Sequence, residues 1–374
     1  MLRILFFALV TVSAIGCGDG GLLGGDFRPD AIGEEGQMTV VIDSALWNGN
    51  VGEALRIHIG GGIETLPSVE PEFDLTAIGL TSNAIFDMVK ERKNVLFVGL
   101  ISSDSVSSSA SLEHQYLNAI FSDDSVRQMI NEGSPALVAR PNQWRRSQLV
   151  YYLVGASSDD LIASLEDYSD ELRYHYNTIS RQRLHREMFD LGRQHDLEET
   201  IMNRHGFAVH GQHDYFIALD TTQFVWLRRT LTETWRSVFV YYEDQADPSK
   251  LNPEWMVATR DSLTQMYIGG TAGGWIEIDR RRPMTAQEIN FKERYAIEFR
   301  GLWHMVGREN GRKFPFGMGG PFLTYAFYDE SSQRLYLIDG MVFAPNFSKR
   351  EFLRQMEVIA HTFRTLEETQ PEGI

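Results

Sequence analysis

Cys17 is the only cysteine in the 374-residue chain, and its surroundings give it a specific chemistry. It follows MLRILFFALVTVSAIG, where one positive charge, Arg3, precedes an uncharged and mostly apolar run from Ile4 to Ile15. That run is shorter than the roughly 20 residues a membrane-spanning helix needs. A charged start, an apolar stretch and small residues before a cut have the form of a secretory signal peptide. Ala14-Ile15-Gly16-Cys17 has the layout of a lipobox, with alanine where leucine is usual. The expected chemistry is cleavage before Cys17 and acylation of its sulfur and of the new amine. Each buried methylene contributes about 0.8 kcal/mol, and two or more acyl chains turn marginal association into stable anchoring. The alternative is an ordinary signal peptide with Cys17 incidental. An acylated Cys17 excludes thiol catalysis, cysteine-zinc sites and disulfides from the rest of the chain.

Other residues could do chemistry by type. His205, His210 and His213 in HGFAVHGQH are potential zinc or copper ligands. No HExxH or other fixed ligand spacing accompanies them, so the segment reads as a helix cap followed by a strand edge, and neither metal nor cofactor is expected. IGGTAGG (268–274) has the glycine content of a phosphate cradle, but it follows a helix and enters a strand, the reverse of a phosphate loop. GMGGPF (317–322) lies between strand-like runs and is expected to be a loop or bulge where glycines permit positive φ and close backbone approach. Arg300, Trp303 and His304 fall on the neighbouring strand. With Gly319 and Gly320 they form the candidate ligand or partner site, because an arginine beside a glycine-rich turn can take a carboxylate or phosphate. The competing expectation is an internal pair of Arg300 with Glu277 or Glu298, with Trp303 filling core. No GxSxG, SxxK or triad spacing occurs, so no catalytic residue is assigned. Asp159-Asp160 and Glu198-Glu199 read as solvated helix surface. Trp47, Trp226, Trp275 and Trp303 could stack on glycans, but their dispersed spacing suits core anchors.

The elements that must position these residues follow from pattern. Hydrophobic content of 43% and aromatic content of 11% specify folded globules,. A net charge of −16 argues against nucleic acid and against lying flat on an anionic bilayer,. The 29 arginines against six lysines carry no functional signal. Residues 18–36 hold seven glycines and read as a flexible tether,. MTVVID (38–43), NVLFVGLIS (94–102) and QLVYYLVGAS (148–157) are strand-like, and Asn50 with Glu53 suggests a helix start. TSNAIFDMVKER and SLEHQYLNAIFSDDSVRQMINEG read as helices, the latter ending at Gly133. A long helical text from Ser157 ends at Gly206.

The second half changes character. A strand pair (213–229) and WRSVFVYYED precede a helix opened by Asn252-Pro253-Glu254. Four strand-length runs follow, and a capping box at Ser348–Glu351 starts the closing helix. The class is α+β, with two α/β units, the second an antiparallel sheet with packed helices. The divisions expected are 1–16 signal peptide, 17–36 lipidated cysteine and tether, 37–206 N-terminal domain with long closing helices, and 207–374 C-terminal antiparallel-sheet domain.

Five phrases, VVIDSALWNGNVGEALR, TQFVWLRRT, YAIEFRGLWHMVG, GMGGPFLTYAFYDE and FAPNFSKREFLRQMEVIAHTF, together resemble a family of Bacteroidota lipoproteins, domain of unknown function four-eight-three-seven. The resemblance runs from about residue 38 to residue 365. HGFAVHGQH departs from it, because the family usually has a proline-containing lead-in there. The resemblance implies a lipid-anchored envelope protein with no assigned activity. The order of elements in 207–365 is also similar to the PsbP-like fold. The reading is therefore a cell-envelope protein attached to a membrane by its N-terminal lipid, at the outer membrane facing the periplasm. It would bind or scaffold an envelope protein partner or a ligand through the second domain without catalysis. The alternative is an envelope hydrolase whose site is assembled from distant residues.

Overall fold

Continuous apolar runs build the first sheet. The computed structural model describes residues 26–101, 111–270 and 273–369; Cys17 and the signal segment lie outside the described residues. β1 (Gln37–Ile42) leads to α1 (Ser44–Asn48), whose start is capped by the Asp43 side chain accepting from the Ala45 N–H at 2.7 Å. α2 (Asn50–His58) begins where expected, but its cap is Gly49, with no side-chain hydrogen bond. The backbone enters already turned by α1, and Gly52 lies so close to the Trp47 carbonyl that a Cβ would collide with it. A short hairpin, β2 (Gly62–Ile63) and β3 (Glu70–Pro71), precedes β4 (Asp74–Ile78), and α3 (Asn83–Lys90) is capped by Ser82.

β5 (Asn94–Leu100) is followed by α4 (Leu112–Ile120) and α5 (Asp124–Asn131), two helices where one was expected. Asp123 starts the second by accepting from the Ser125 and Val126 N–H groups. β6 (Ala136–Pro141) then runs antiparallel to β7 (Leu149–Gly155). The sheet order is β4-β1-β5-β7-β6, with every pairing except β6–β7 parallel. Parallel strands are covered on both faces, hence the unbroken apolar text of β5 and β7. One face packs on α2 and the long α6 (Ser158–Phe189), the other on α3, α4 and α5.

Residues 30–36 are docked on this unit and are not tether. Ala31 N–H bonds the Arg146 carbonyl at 3.0 Å and Ile32 N–H the Glu91 carbonyl at 2.8 Å. Glu35, 4% exposed, is held at 2.8 Å by Arg183 and at 2.7 Å by Lys93. Glycine content suggested mobility, but the buried carboxylate pair and backbone bonds fix this end of the segment.

α7 (His195–His205) ends at Gly206, whose φ of +74° is the left-handed stop glycine permits,. β8 (Phe207–Ala208) follows, then β9 (Phe216–Asp220), β10 (Phe224–Thr230) and β11 (Trp235–Asp244). α8 (Pro253–Tyr267) is capped by Asn252 through the Trp255 N–H at 2.8 Å, as the sequence specifies. β12 (Trp275–Ile278), β13 (Thr285–Phe291), β14 (Arg294–Glu309), β15 (Arg312–Asp329) and β16 (Arg334–Phe343) complete an antiparallel sheet. Its order is β12-β14-β15-β16-β11-β10-β9, with β13 also on β14. α9 (Arg350–His361), β17 (Arg364–Thr365), which pairs with β8, and α10 (Leu366–Thr369) close the described chain. The fold is thus α+β in two units.

GMGGPF is not a loop. It lies inside β15, where the register with β14 shifts between His304 and Val306, and Gly317 adopts φ +72°. The ladder resumes on both sides, so the glycines absorb a bulge within one long strand.

The two units meet along α6 and α9. Leu161, Leu165, Leu172 and Tyr176 of α6 belong to the first core; Leu184, Met188 and Phe189 of the same helix belong to the second. The expected capping box at Ser348–Glu351 does not form, because Glu351 is paired with Arg350 at 2.8 Å. Glu70 of β3 caps α9 instead, accepting from the Lys349 and Arg350 N–H groups at 2.7 and 3.0 Å. No helix among the described residues is long and apolar enough to cross a membrane.

Candidate functional site

β14 carries three of the residues singled out from sequence, but strand alternation divides them between two faces. Arg300 faces α9. Its Nε and one terminal nitrogen bond Glu298 at 2.6 and 2.9 Å, and the same terminal nitrogen lies 3.4 Å from Glu357. Glu357 is also paired with Arg181 of α6 at 2.5 Å. Burial would push the Glu357 carboxyl up, but Arg181 and Arg300 prevail and bring it down to about 2. Burial, reinforced by Arg181, holds the neighbouring His361 down to about 3. Arg300 is thus a structural cation at the seam between units, paired with the strand acid Glu298 that the sequence had offered as its internal partner.

Trp303 faces α8 and is 1% exposed. Its indole N–H donates to the Val342 carbonyl at 3.2 Å, and its ring lies 5.1 Å from that of Trp235. Gly320, opposite Trp303 in register, is required here because a Cβ would strike the Val342 carbonyl oxygen and crowd the indole. His304, opposite Gly319, sits between two carboxylates, with Nε2 3.4 Å from Glu277 and Nδ1 4.0 Å from Asp279. Those carboxyls are occupied: Lys313 bonds Glu277 at 2.6 Å and Arg281 bonds Asp279 at 2.7 Å. Arg300, Trp303, His304, Gly319 and Gly320 therefore do not converge on one cavity.

The histidine trio is dispersed as well. His205 is locked in the core between Asp220 at 2.9 Å and Tyr242 at 3.2 Å. His210 is buried 3.9 Å from Glu198, and burial pushes its imidazole down to about 3. His213 is exposed. Among the described residues no three His, Cys, Asp or Glu side chains form a group able to hold a metal ion. In the 268–274 segment, residues 271 and 272 lie outside the described residues, and Gly270 N–H bonds the Gly274 carbonyl at 2.7 Å.

An open concavity lies elsewhere, between the β9–β10 turn and the C-terminal half of α8. It holds about 470 Å³ and is lined by uncharged side chains. Its floor is aromatic: Phe224 and Tyr267 stack with centroids 4.5 Å apart, and Tyr241 lies across from Phe224 in register. Its walls offer the hydroxyls of Thr222, Thr259 and Ser262. Burial, aided by Glu243, raises the Tyr241 phenol to about 12, so it is a neutral donor and acceptor throughout the physiological range. Such a surface supplies stacking and neutral hydrogen bonds. No histidine, lysine or carboxylate is among its lining residues to act on those hydroxyls as a base. The sequence reading missed it, since turn and helix are some 40 residues apart in the chain; the one local signal is the Thr221-Thr222-Gln223 run in a hairpin turn.

Residues 194–362 match the family described as Domain of unknown function (DUF4837). The C-terminal unit resembles DUF4837. Residues 31–189 match a second family, Domain of unknown function (DUF8532), so the resemblance expected from about residue 38 is divided between two families. No curated protein matches the chain. Among solved structures, the Ran-binding protein Mog1p of Saccharomyces cerevisiae is similar at 10% identity and TM-score 0.29, over 43% of this chain and 90% of that one. A Mog1 point mutant is similar at 12% identity and TM-score 0.27, over 43% and 91%. A Bacteroides thetaiotaomicron VPI-5482 structure is similar at 8% identity and TM-score 0.23, over 43% and 45%. The expected PsbP-like likeness is not confirmed.

Proposed function

We propose that the chain is a lipid-anchored protein of the cell envelope that binds a ligand or partner through its C-terminal sheet unit. The observation that supports the reading is the contrast within that unit. Arg294, Glu298, Arg300 and His304 of β14 lie against internal charge partners, while the unit's open groove is lined by uncharged aromatic, aliphatic, hydroxyl and amide side chains. Sites of that composition bind by shape and neutral hydrogen bonding. The anchor is proposed at Cys17, on the outer membrane facing the periplasm, with the glycine-rich stretch that follows it as the leash ahead of the docked segment.

Two experiments test this. Cys17→Ala should leave unlipidated precursor and lose membrane fractionation; unchanged fractionation overturns the anchor. A photo-crosslinking residue at Met266, which is 69% exposed on the groove rim, should capture a specific species in cells. Capture should vanish when Ser262→Trp fills the groove. Turnover of envelope glycans, peptidoglycan or esters by the purified chain, abolished by one point mutation, would replace binding with hydrolysis.

A further inference from the structure

The sheet face under α8 carries a second feature, toward the other end of β10. Phe224, Trp226 and Arg228 occupy every second position of that strand and so share a face,. Trp226 lies opposite Phe239 and Arg228 opposite Ser237, with Trp235 two residues before Ser237 on β11. The Arg228 guanidinium carbon is 5.6 Å from the Trp226 ring centre and 5.7 Å from that of Trp235, so two indoles flank one cation. Flanking rings of this kind favour a cation and its stacking partners.

Arg228 is half-buried and, among the described residues, pairs with no carboxylate. Other arginines of the same unit close on acids: Arg260 of α8 on Asp339 at 2.6 Å, and Arg294 and Arg300 of β14 on Asp329 at 2.9 Å and Glu298 at 2.6 Å. Three buried polar atoms around Arg228 also have no partner in the protein: its own Nε, the Trp226 Nε1 and the Ser237 Oγ. Ser237 is 0% exposed. Two of these atoms can only donate and the third can donate. Unmatched buried donors carry a desolvation cost that an incoming acceptor removes. A chain of net charge −16 has acids to spare, yet none is placed here.

We infer that Arg228, Ser237 and Trp226 form a binding site for an oxyanion, a carboxylate or a phosphate, carried on a ligand with a flat apolar body. The guanidinium fork takes the oxyanion in two parallel charge-assisted bonds. Ser237 and the Trp226 indole supply neutral donors, and the Trp226 and Trp235 rings hold the ligand's flat body. The site is separate from the groove beside Tyr267 and stands or falls independently of it.

The test is isothermal titration calorimetry on the mature chain with benzoate, phenyl phosphate and the neutral analogue benzamide. Saturable binding of benzoate or phenyl phosphate is expected, with benzamide at least about tenfold weaker, as loss of a charged hydrogen-bond acceptor implies. The tighter of the two anions identifies the oxyanion. Arg228→Gln should weaken it at least about tenfold, and Ser237→Ala by about threefold to tenfold. Arg228→Lys keeps the charge without the fork and should fall between wild type and Arg228→Gln; it also serves if Arg228→Gln fails to fold by circular dichroism. Equal affinity for benzamide, unchanged affinity in either Arg228 variant, or no saturation by any probe would overturn the site.

Discussion

The two sheets answer the same problem differently. In the N-terminal unit both faces of a mostly parallel sheet are sealed by helices, and the strands are apolar on both sides. In the C-terminal unit one face is sealed by α9 with α6 and α7, while the other is covered mainly by α8, 15 residues long. One short helix cannot roof an eight-stranded sheet, so the groove and the Trp226–Arg228–Trp235 cluster remain on that face. A fully sealed sheet is a platform; a partly roofed one is where a ligand can reach the strands. Both units bury an ion pair, Glu35 with Arg183 at the edge of the first and Arg260 with Asp339 beneath the roof of the second.

The second pair gives the largest expected effect. Arg260 and Asp339 are both 0% exposed and bond at 2.6 Å, with Thr324 also donating to Asp339 at 2.6 Å. Burial pushes the Asp339 carboxyl up against the pull of Arg260. Arg260→Met should cost about 3–5 kcal/mol in urea unfolding, because it strands a buried carboxylate. Adding Asp339→Leu should restore most of it, and a single variant with wild-type stability would show that the roof is not anchored by charge.

Next comes pH. His210 and His361 are held down to about 3 in the fold, below the ordinary 6.5. Unfolded histidines therefore take up protons below pH 6.5 while the folded ones do not. Stability from this source is complete above pH 6.5 and is lost as pH falls toward 3. Between pH 6.5 and 5 the pair should account for about 2 kcal/mol, allowing for partial solvent screening at His361. A His210→Asn/His361→Gln variant should flatten the profile over that interval; an unchanged slope would mean other groups carry it.

Smaller again is the junction between the units. Glu70→Ala removes the cap of α9 and should cost about 1 kcal/mol, in the range of N-cap losses. Glu70→Gln, which keeps acceptor capacity, should recover part of it in the same urea titration. Smallest in stability is Ser262→Trp, at an exposed position, with an expected shift within about 0.5 kcal/mol,. A larger loss would mean that the groove is part of the roof and not an opening in it.

Much of this fold is legible in the text of the chain. Strand runs such as NVLFVGL and LVYYLVG, the Asn252 cap and the stop at Gly206 rest on local chemistry, and the elements form where that chemistry puts them. What is not legible depends on distant partners. Ser348–Glu351 has the letters of a capping box, but Glu70, nearly 280 residues earlier, takes the role. Glycine-rich GMGGPF suits either a loop or a bulge, and pairing with β14 on both sides of it decides for a bulge within β15. β13 reads as polar because it is an exposed edge. Arg300 and Trp303 lie on one strand, as the pattern of YAIEFRGLWHMV specifies, the one in an internal ion pair and the other as a core indole. Their joint site fails because positions three apart on a strand face opposite ways. Arg228 carried no signal of its own, since an unpaired arginine is defined by acids that are absent in space, not in sequence.

α6 spans 32 residues, about 48 Å at helical rise,. Its first half is bolted into one core and its last turns into the other. The first family match ends at residue 189 and the second begins at residue 194, so all of α6 falls in the first match although its last turns pack into the core of the unit the second match covers. Cutting the chain there would not release two self-sufficient modules; it would leave the C-terminal core without Leu184, Met188 and Phe189. A load applied to the N-terminal unit would therefore reach the C-terminal sheet as bending of a beam and not as rotation about a hinge.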